Sequence, residues 1–362
     1  MLIADVHNDL LQRAIAGDEI WKRLPDGHSD FIRMKEAGIV AQILSVWVPV
    51  KYELEKKSYQ QALNLIHAFK YAVSKSEIAV QVYNPTNLEN ALQNNKLSLM
   101  MGMEGGHPIE NDLEKLEEFF RLGMRYMSPT WNNSVSWATS AKDETNINFS
   151  GKKGLNDFGI SVIKKMNALG MMIDVSHVGE QTFWDIAKHS NKPFIASHSS
   201  VYNLCPHARN LKDEQLKEIA KSGGVAFINF FSGFLDKDYF TKRSPIVNQH
   251  QDQLEKIRLE NSSSFEAGFI AEDHFLGKIL SDARPPLSLL IDHIDYAVKL
   301  IGVNHVGIGS DFDGIETAPT GLDSVLDLKT IAFELEKRGY SQSEIEKIMF
   351  NNFIRVFNEN QS

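Results

Sequence analysis

The sequence contains a single cysteine, Cys205. An intramolecular disulfide bond and a zinc site built from several thiolates are therefore both excluded, and we expect a reducing compartment, most simply the cytoplasm. The N-terminus lacks a basic segment followed by an apolar one, and no stretch approaches the roughly 18 consecutive apolar residues of a membrane span. We therefore expect neither secretion nor insertion into a membrane.

Positive charge is also scarce. The 38 lysines and arginines stand against 47 aspartates and glutamates, which gives a formal net charge of −9, and no long basic run is present. Nucleic acids and anionic membrane surfaces are bound by basic patches, so the composition argues against both as partners. A small molecule or a peptide is the expected ligand.

What the sequence does contain is a regular alternation of apolar runs and amphipathic segments. The apolar runs predict eight principal β-strands near residues 2–6, 38–50, 97–104, 124–130, 171–176, 193–197, 224–230 and 305–310, with a minor one at 78–83. At least one helix is predicted after each principal strand. Eight such units favour a closed (β/α)8 barrel, the TIM-barrel fold of many metal-dependent hydrolases, over an open doubly wound sheet.

We expect one domain over residues 1–362. Residues 24–36 are predicted to form a loop because they contain Pro25, Asp26 and Gly27. Residues 232–284 are predicted to form an irregular excursion, over the barrel mouth or at an oligomer contact. Ser341 and Glu344 have the spacing of a capping box and predict the start of the last helix.

Imidazole and carboxylate side chains collect where five of the predicted strands end: His7 and Asp9, Glu104, His177, His198, and Asp311. In a (β/α)8 barrel the carboxyl ends of the strands form the reactive face, so we expect these side chains to converge. Any one of the histidines alone could be an ordinary imidazole hydrogen-bonded locally. Converging carboxylates, however, would repel one another unless a cation neutralised them, and the set therefore predicts a metal site.

The number of ligands favours two metal ions. His7 and Asp9 can hold the first, His177 and His198 the second, and Glu104 can bridge them. This mixture of nitrogen and oxygen ligands suits zinc, and less selectively manganese or iron. Paired metals can polarise a carbonyl group and generate hydroxide from a shared water, which indicates hydrolysis. Asp311 can then take the proton of that water and pass it to a leaving amine.

An arginine, Arg209, follows the sixth predicted strand. Its guanidinium group is suited to forked recognition of a substrate carboxylate. A surface salt bridge is the plain alternative.

These pieces together resemble the membrane (renal) dipeptidase family, the M19 metallopeptidases, and in particular its soluble bacterial members. The matching stretches occur in the family's order over nearly the whole chain and comprise residues 5–9, 102–107, 125–127, 170–177, 197–200, 209–210, 224–230, 284–286 and 307–314. The resemblance implies a barrel with two zinc ions, held by His7, Asp9, Glu104, His177 and His198 as described above.

The resemblance also implies an activity. The family hydrolyses dipeptides, often with a D-residue at the C-terminal position, and frequently forms homodimers. Arg209 would bind the C-terminal carboxylate of the dipeptide, and Asp311 would transfer protons and lie near the free amine. A metal-bound hydroxide would attack the peptide carbonyl, with Glu104 bridging the two ions.

One position departs from the family. Better-known mammalian members carry a substrate-binding histidine after the fourth strand, and Trp131 stands there in this chain. An indole N–H can donate a hydrogen bond but cannot supply a proton as imidazole does, although Asn132 or Asn133 could substitute. Two other functions therefore stay open: an amidohydrolase acting on another amide, lactam or N-acyl amino acid, and a non-catalytic protein that binds metal and dipeptide.

Overall fold

The computed structural model describes residues 1–361, which form nine β-strands. The strands are β1 (Ile3–Asp5), β2 (Ile39–Trp47), β3 (Ala79–Gln81), β4 (Leu97–Glu104), β5 (Met124–Ser128), β6 (Met172–Ile173), β7 (Ile195–Ala196), β8 (Val225–Ile228) and β9 (Val306–Ile308). Each of the eight principal strands and the minor one was predicted from an apolar run, and each observed strand lies within its predicted range.

The α-helices fill the segments between the strands and after the last one. They span Leu11–Ala16, Phe31–Ala37, Val50–Leu54, Ser58–Ser74, Pro85–Gln93, Leu113–Leu122, Ala141–Glu144, Asp157–Leu169, Glu180–His189, Asp213–Lys221, Ser232–Leu235, Tyr239–Gln249, Gln251–Glu260, Phe265–Ile279, Leu287–Ile301, Lys329–Lys337, Gln342–Glu346 and Asn352–Gln361. None of the helices in the described part of the chain has the length and apolar character needed to cross a lipid bilayer.

All strand pairs are parallel and fall into two sheets. The larger has the order β1-β2-β4-β5-β6 with β3 beside β4, and the smaller has the order β7-β8-β9. Backbone hydrogen bonds connect the sheets on both sides, from Val175 N to Ile195 O (2.8 Å) and from Asp311 N to His7 O (3.0 Å). The fold is thus α/β and parallel-stranded, while closure into one (β/α)8 barrel stays a prediction.

The strands are buried on both faces. Ala41 and Ile43 of β2 belong to one apolar cluster, whereas Leu44 and Val46 belong to a second, larger cluster that also contains residues of the helices. Successive side chains of a strand point to opposite faces, so each cluster covers one face of the sheet. This double burial explains why the strands are visible in the sequence as continuous apolar runs.

Two local predictions were wrong in part. Residues 24–36 are not entirely a loop, because Asp30 accepts a hydrogen bond from Arg33 N and caps the helix Phe31–Ala37. The segment 232–284 is not irregular, since it carries four α-helices and its own apolar cluster around Tyr239, Leu254 and Leu280. The predicted capping box of Ser341 and Glu344 is confirmed, but it starts the short helix Gln342–Glu346, and the last α-helix is Asn352–Gln361.

Candidate active site

The structure brings the five predicted metal ligands together at the carboxyl ends of their strands. Glu104 lies at the centre of the group: its Oε2 is 3.5 Å from His7 Nε2, and its Oε1 is 2.8 Å from His177 Nε2 and 3.6 Å from His198 Nε2. Asp9 Oδ2 lies 3.5 Å from His7 Nε2. All five residues are at most 5% exposed. The two carboxylate oxygens of Glu104 therefore face different histidines.

Several of these buried atoms lack a partner that would offset their loss of hydration. His7 Nε2 and Asp9 Oδ1 accept or donate no hydrogen bond among the described residues, which is costly for buried polar atoms. Ligand atoms of His7, Glu104 and His198 lie within 4.8 Å of one another, and so do those of His7, Asp9 and Asp311. A bound cation would satisfy these atoms, so the donor set fits a metal site and suits zinc.

Asp311 lies at the edge of this group and occupies a left-handed backbone conformation with φ of 62°. Its Oδ1 is 3.8 Å from His7 Nε2, and its Oδ2 accepts a hydrogen bond of 2.8 Å from Asn229 Nδ2. Burial raises the pKa of Asp311 well above its usual range, and repulsion from Asp9 and Glu104 adds to the effect, whereas His7 and Asn229 oppose it. A cation in the site would lower this pKa again.

Tyr126 positions the ring of His7. Its hydroxyl group lies 2.6 Å from His7 Nδ1, so the other ring nitrogen, Nε2, is left facing the carboxylates. The ring of Tyr126 fits only because β4 has a glycine beside it, as a Cβ on Gly102 would lie 2.0 Å from Tyr126 Cζ. Sequence reasoning did not assign Tyr126 to the site, and the only signal was its place in a stretch that matches the family.

Two buried aspartates connect the sheets next to the candidate ligands. Asp5 accepts hydrogen bonds from Ser310 N (2.8 Å) and Ser310 Oγ (2.6 Å). Asp174 likewise accepts hydrogen bonds from Ser197 N (2.8 Å) and Ser197 Oγ (2.6 Å). Because Ser197 Oγ donates to Asp174, it accepts from His198 Nδ1 at 2.7 Å. This arrangement puts the proton of His198 on Nδ1 and leaves Nε2, which lies 2.9 Å from His177 Nε2, unprotonated and able to bind a metal.

A cavity of about 790 Å³ lies above the candidate ligands. Arg209 lines it and is 6% exposed, yet its hydrogen bonds to Ser199 Oγ (3.3 Å) and His198 O (3.4 Å) are long, and its Nε has no acceptor in residues 1–361. Burial lowers the pKa of Arg209 to about 10, so the group stays cationic at neutral pH. Arg209 is therefore a buried, poorly paired cation that faces the cavity, and the alternative of a surface salt bridge does not apply.

Trp131 and Asn132 both line the cavity. The Trp131 ring centroid lies 6.4 Å from that of His177 and 5.1 Å from that of Trp47. Asn133, in contrast, donates a hydrogen bond of 2.9 Å to Glu53 and is not part of the cavity lining. Of the two asparagines, Asn132 is therefore the one that lines the cavity.

Residues of the 232–284 segment also line the cavity, including Phe234, Phe265 and Phe269. The sequence did not predict which residues of this segment line the cavity, because scattered aromatic residues in a polar segment give no periodic pattern.

The sequence matches the family model described as "Membrane dipeptidase (Peptidase family M19)" over residues 1–362. A similar curated protein is the "Uncharacterized protein in pqqA 5'region" of Klebsiella pneumoniae, which is 33% identical over 274 residues, or 75% of this chain and 84% of that protein.

Solved structures with the same fold include the dipeptidase AC, a metallopeptidase of family M19, with a TM-score of 0.80, 24% identity and coverage of 100% of this chain and 99% of that one. A second is a metallopeptidase from Rhodobacter sphaeroides, solved with a phosphinate mimic of the dipeptide L-Ala-D-Ala. It has a TM-score of 0.80 and 23% identity, and covers 99% of each chain.

Proposed function

Since this chain belongs to the membrane dipeptidase family, peptidase family M19, and is a metallopeptidase, we propose that it is a dipeptidase that uses two zinc ions. The observation that carries this proposal is the position of Glu104. One of its oxygens faces His7 and the other faces His177 and His198, as a carboxylate shared between two cations requires.

We assign His7 and Asp9 to one ion and His177 and His198 to the other, with Glu104 shared. When bound, such a pair lowers the pKa of water and polarises a carbonyl oxygen. Tyr126 and Ser197 hold the rings of His7 and His198 so that their Nε2 atoms stay available.

The remaining residues bind and orient the dipeptide. Arg209 binds the C-terminal carboxylate, because it is the poorly paired cation of the cavity and its fork matches a carboxylate. Trp131 lies beside His177, Asn132 lines the same cavity, and both can donate hydrogen bonds to the carbonyl oxygen of the scissile bond.

Asp311 moves the proton. Its Oδ2 is held by Asn229, and its Oδ1 lies toward His7, where it can take a proton from the attacking water and deliver it to the leaving amine. Asp311 also gives the free α-ammonium group of the dipeptide a carboxylate neighbour.

Four further properties are proposed, three of them on the strength of family membership and the cytoplasmic location because a single cysteine indicates a reducing compartment. They are closure of the eight principal strands into one barrel, tolerance of a D-residue at the C-terminal position, a homodimeric state and a cytoplasmic location. The hydrogen bonds on both sides of the two sheets support closure.

The test is a panel of L,L and L,D dipeptides incubated with zinc-loaded protein, with metal content measured in parallel. We expect hydrolysis that stops on chelation and that weakens strongly when the C-terminal carboxylate is amidated. Equal turnover of amidated and free substrates would favour a broader amidohydrolase. Binding of dipeptides without turnover of any of them would contradict an enzymatic function.

A further inference from the structure

One wall of the cavity is aromatic. Trp47 lies 5.1 Å from Trp131 and 5.5 Å from Phe269 between ring centroids, and Phe265 lies 6.4 Å from Phe269. All four rings line the cavity, and we call them the aromatic wall. Trp47 is 7% exposed and fixed, whereas Phe265 is 37% exposed. An exposed phenylalanine beside a reactive centre leaves apolar surface that a ligand can cover.

In the proposed closed barrel, the Trp47 end of the aromatic wall lies across the cavity from Arg209. Trp47 is the last residue of β2, and β2 is four strands away from β7, the strand that precedes Arg209, in the order β2-β4-β5-β6-β7. In a ring of eight strands, this separation is half the circumference. A dipeptide with its carboxylate on Arg209 and its peptide bond above Glu104 therefore extends its N-terminal residue toward the aromatic wall.

Two of the charged groups that line the cavity with the aromatic wall, Arg243 and Glu272, are already paired. Arg243 Nη2 lies 2.7 Å from Glu316 Oε2, and Glu272 Oε2 lies 2.8 Å from Arg258 Nε. Lys51 Nζ lies 4.4 Å from the ring centroid of Phe265 and covers one face of that ring. A charged side chain placed against the rings would lose hydration, whereas an apolar side chain would gain contact with them.

We propose that the aromatic wall binds the side chain of the substrate's N-terminal residue and selects dipeptides in which that residue is large and apolar, such as phenylalanine. This inference rests on the proposed dipeptidase function and identifies the substrate class of the same site. Phe265 and Phe269 belong to the helix Phe265–Ile279, so the 232–284 segment determines specificity.

The test compares kcat/KM for L-Phe-L-Ala and L-Ala-L-Ala, which share a C-terminal residue. We expect the wild type to prefer L-Phe-L-Ala by about tenfold or more, the range that differences in apolar contact provide. Phe269→Ala should bring this ratio close to one, and Phe269→Leu should retain most of it. Phe333→Ala is the matched control, because Phe333 is 55% exposed on the helix Lys329–Lys337 and outside the cavity lining.

The outcomes separate the two proposals. The role of the aromatic wall would be overturned if the wild type hydrolysed both dipeptides with a kcat/KM ratio near one, or if this ratio were unchanged in Phe269→Ala. Either result would leave the dipeptidase function intact. Absence of hydrolysis would overturn the dipeptidase function. In that case, the role of the aromatic wall is tested by the binding of phosphinate analogues of the two dipeptides, measured by tryptophan fluorescence. Tighter binding of the phenylalanine analogue by the wild type, with this preference lost in Phe269→Ala, would support the role. Equal binding of the two analogues would refute it.

Discussion

Replacing Arg209 with methionine should remove recognition of the substrate carboxylate and leave the fold intact. Methionine keeps a long apolar side chain against Phe234, whose ring centroid is 5.4 Å from the guanidinium carbon. The two hydrogen bonds that Arg209 makes within the protein, at 3.3 and 3.4 Å, are long and contribute little to stability. Substrate binding should therefore be affected far more than folding.

The magnitude follows from the burial of the guanidinium group. Arg209 is 6% exposed, so its ion pair with a bound carboxylate would be shielded from water. Removing one partner of such a buried pair costs about 2–5 kcal/mol, and about 1.4 kcal/mol corresponds to a factor of ten. We expect kcat/KM for a free dipeptide to fall by roughly 30- to 4,000-fold.

The assay is a double comparison of wild type and Arg209→Met on a dipeptide and on its C-terminal amide. The kcat/KM of the wild type should be lower on the amide than on the free dipeptide by a similar factor. The kcat/KM of the variant should be nearly the same on both substrates. Arg209→Lys should recover only part of the loss, because an ammonium group lacks the forked geometry. If the variant lost the same factor on both substrates, Arg209 would not bind the carboxylate.

Three further variants test other parts of the account. Asp311→Asn should lower kcat by about 10²- to 10⁴-fold with unchanged metal content, and a parental rate would exclude Asp311 as the base. Tyr126→Phe removes the hydroxyl group 2.6 Å from His7 Nδ1 and should weaken zinc binding about 10- to 100-fold in competition with a chelator, whereas unchanged affinity would exclude this role. His293 is 1% exposed, and burial lowers its pKa to about 4 in the folded protein. As pH falls below about 6.5, this histidine is therefore protonated in the unfolded chain before it is protonated in the folded protein. The wild type should therefore lose roughly 3 kcal/mol of stability from this group between pH 7 and pH 4, and His293→Gln should show a flatter dependence in chemical denaturation; parallel curves would contradict this.

The positions of the strands and of the candidate ligands could be predicted because they depend on local sequence. A strand buried on both faces is mostly apolar, so β2 and β4 appear as largely apolar runs in which Gln42, Ser45 and Ser98 are the only polar residues before Glu104. Polar residues that end such runs, such as Glu104 at the end of β4, stand out against them. Parallel strands put these ends on the same side, and this rule was sufficient to gather side chains far apart in the chain.

The residues that were missed depend on contacts between distant segments. Tyr126 appears in the sequence as an ordinary buried strand residue, and only the space left by Gly102 lets its hydroxyl group reach His7. Phe265 and Phe269 lie in a helix with little amphipathic pattern, and they become part of the cavity only when that helix lies against Trp47. Neither contact can be predicted from the residues that neighbour these positions in the sequence.

A zinc titration of the metal-free protein tests the central claim most directly. Dipeptidase activity and bound metal are followed together as zinc is added. We expect activity to rise with zinc and to reach its maximum at two ions per chain, with Glu104→Gln unable to reach this maximum. Full activity in the metal-free protein, or a maximum that Glu104→Gln attains equally well, would contradict a centre built on that carboxylate.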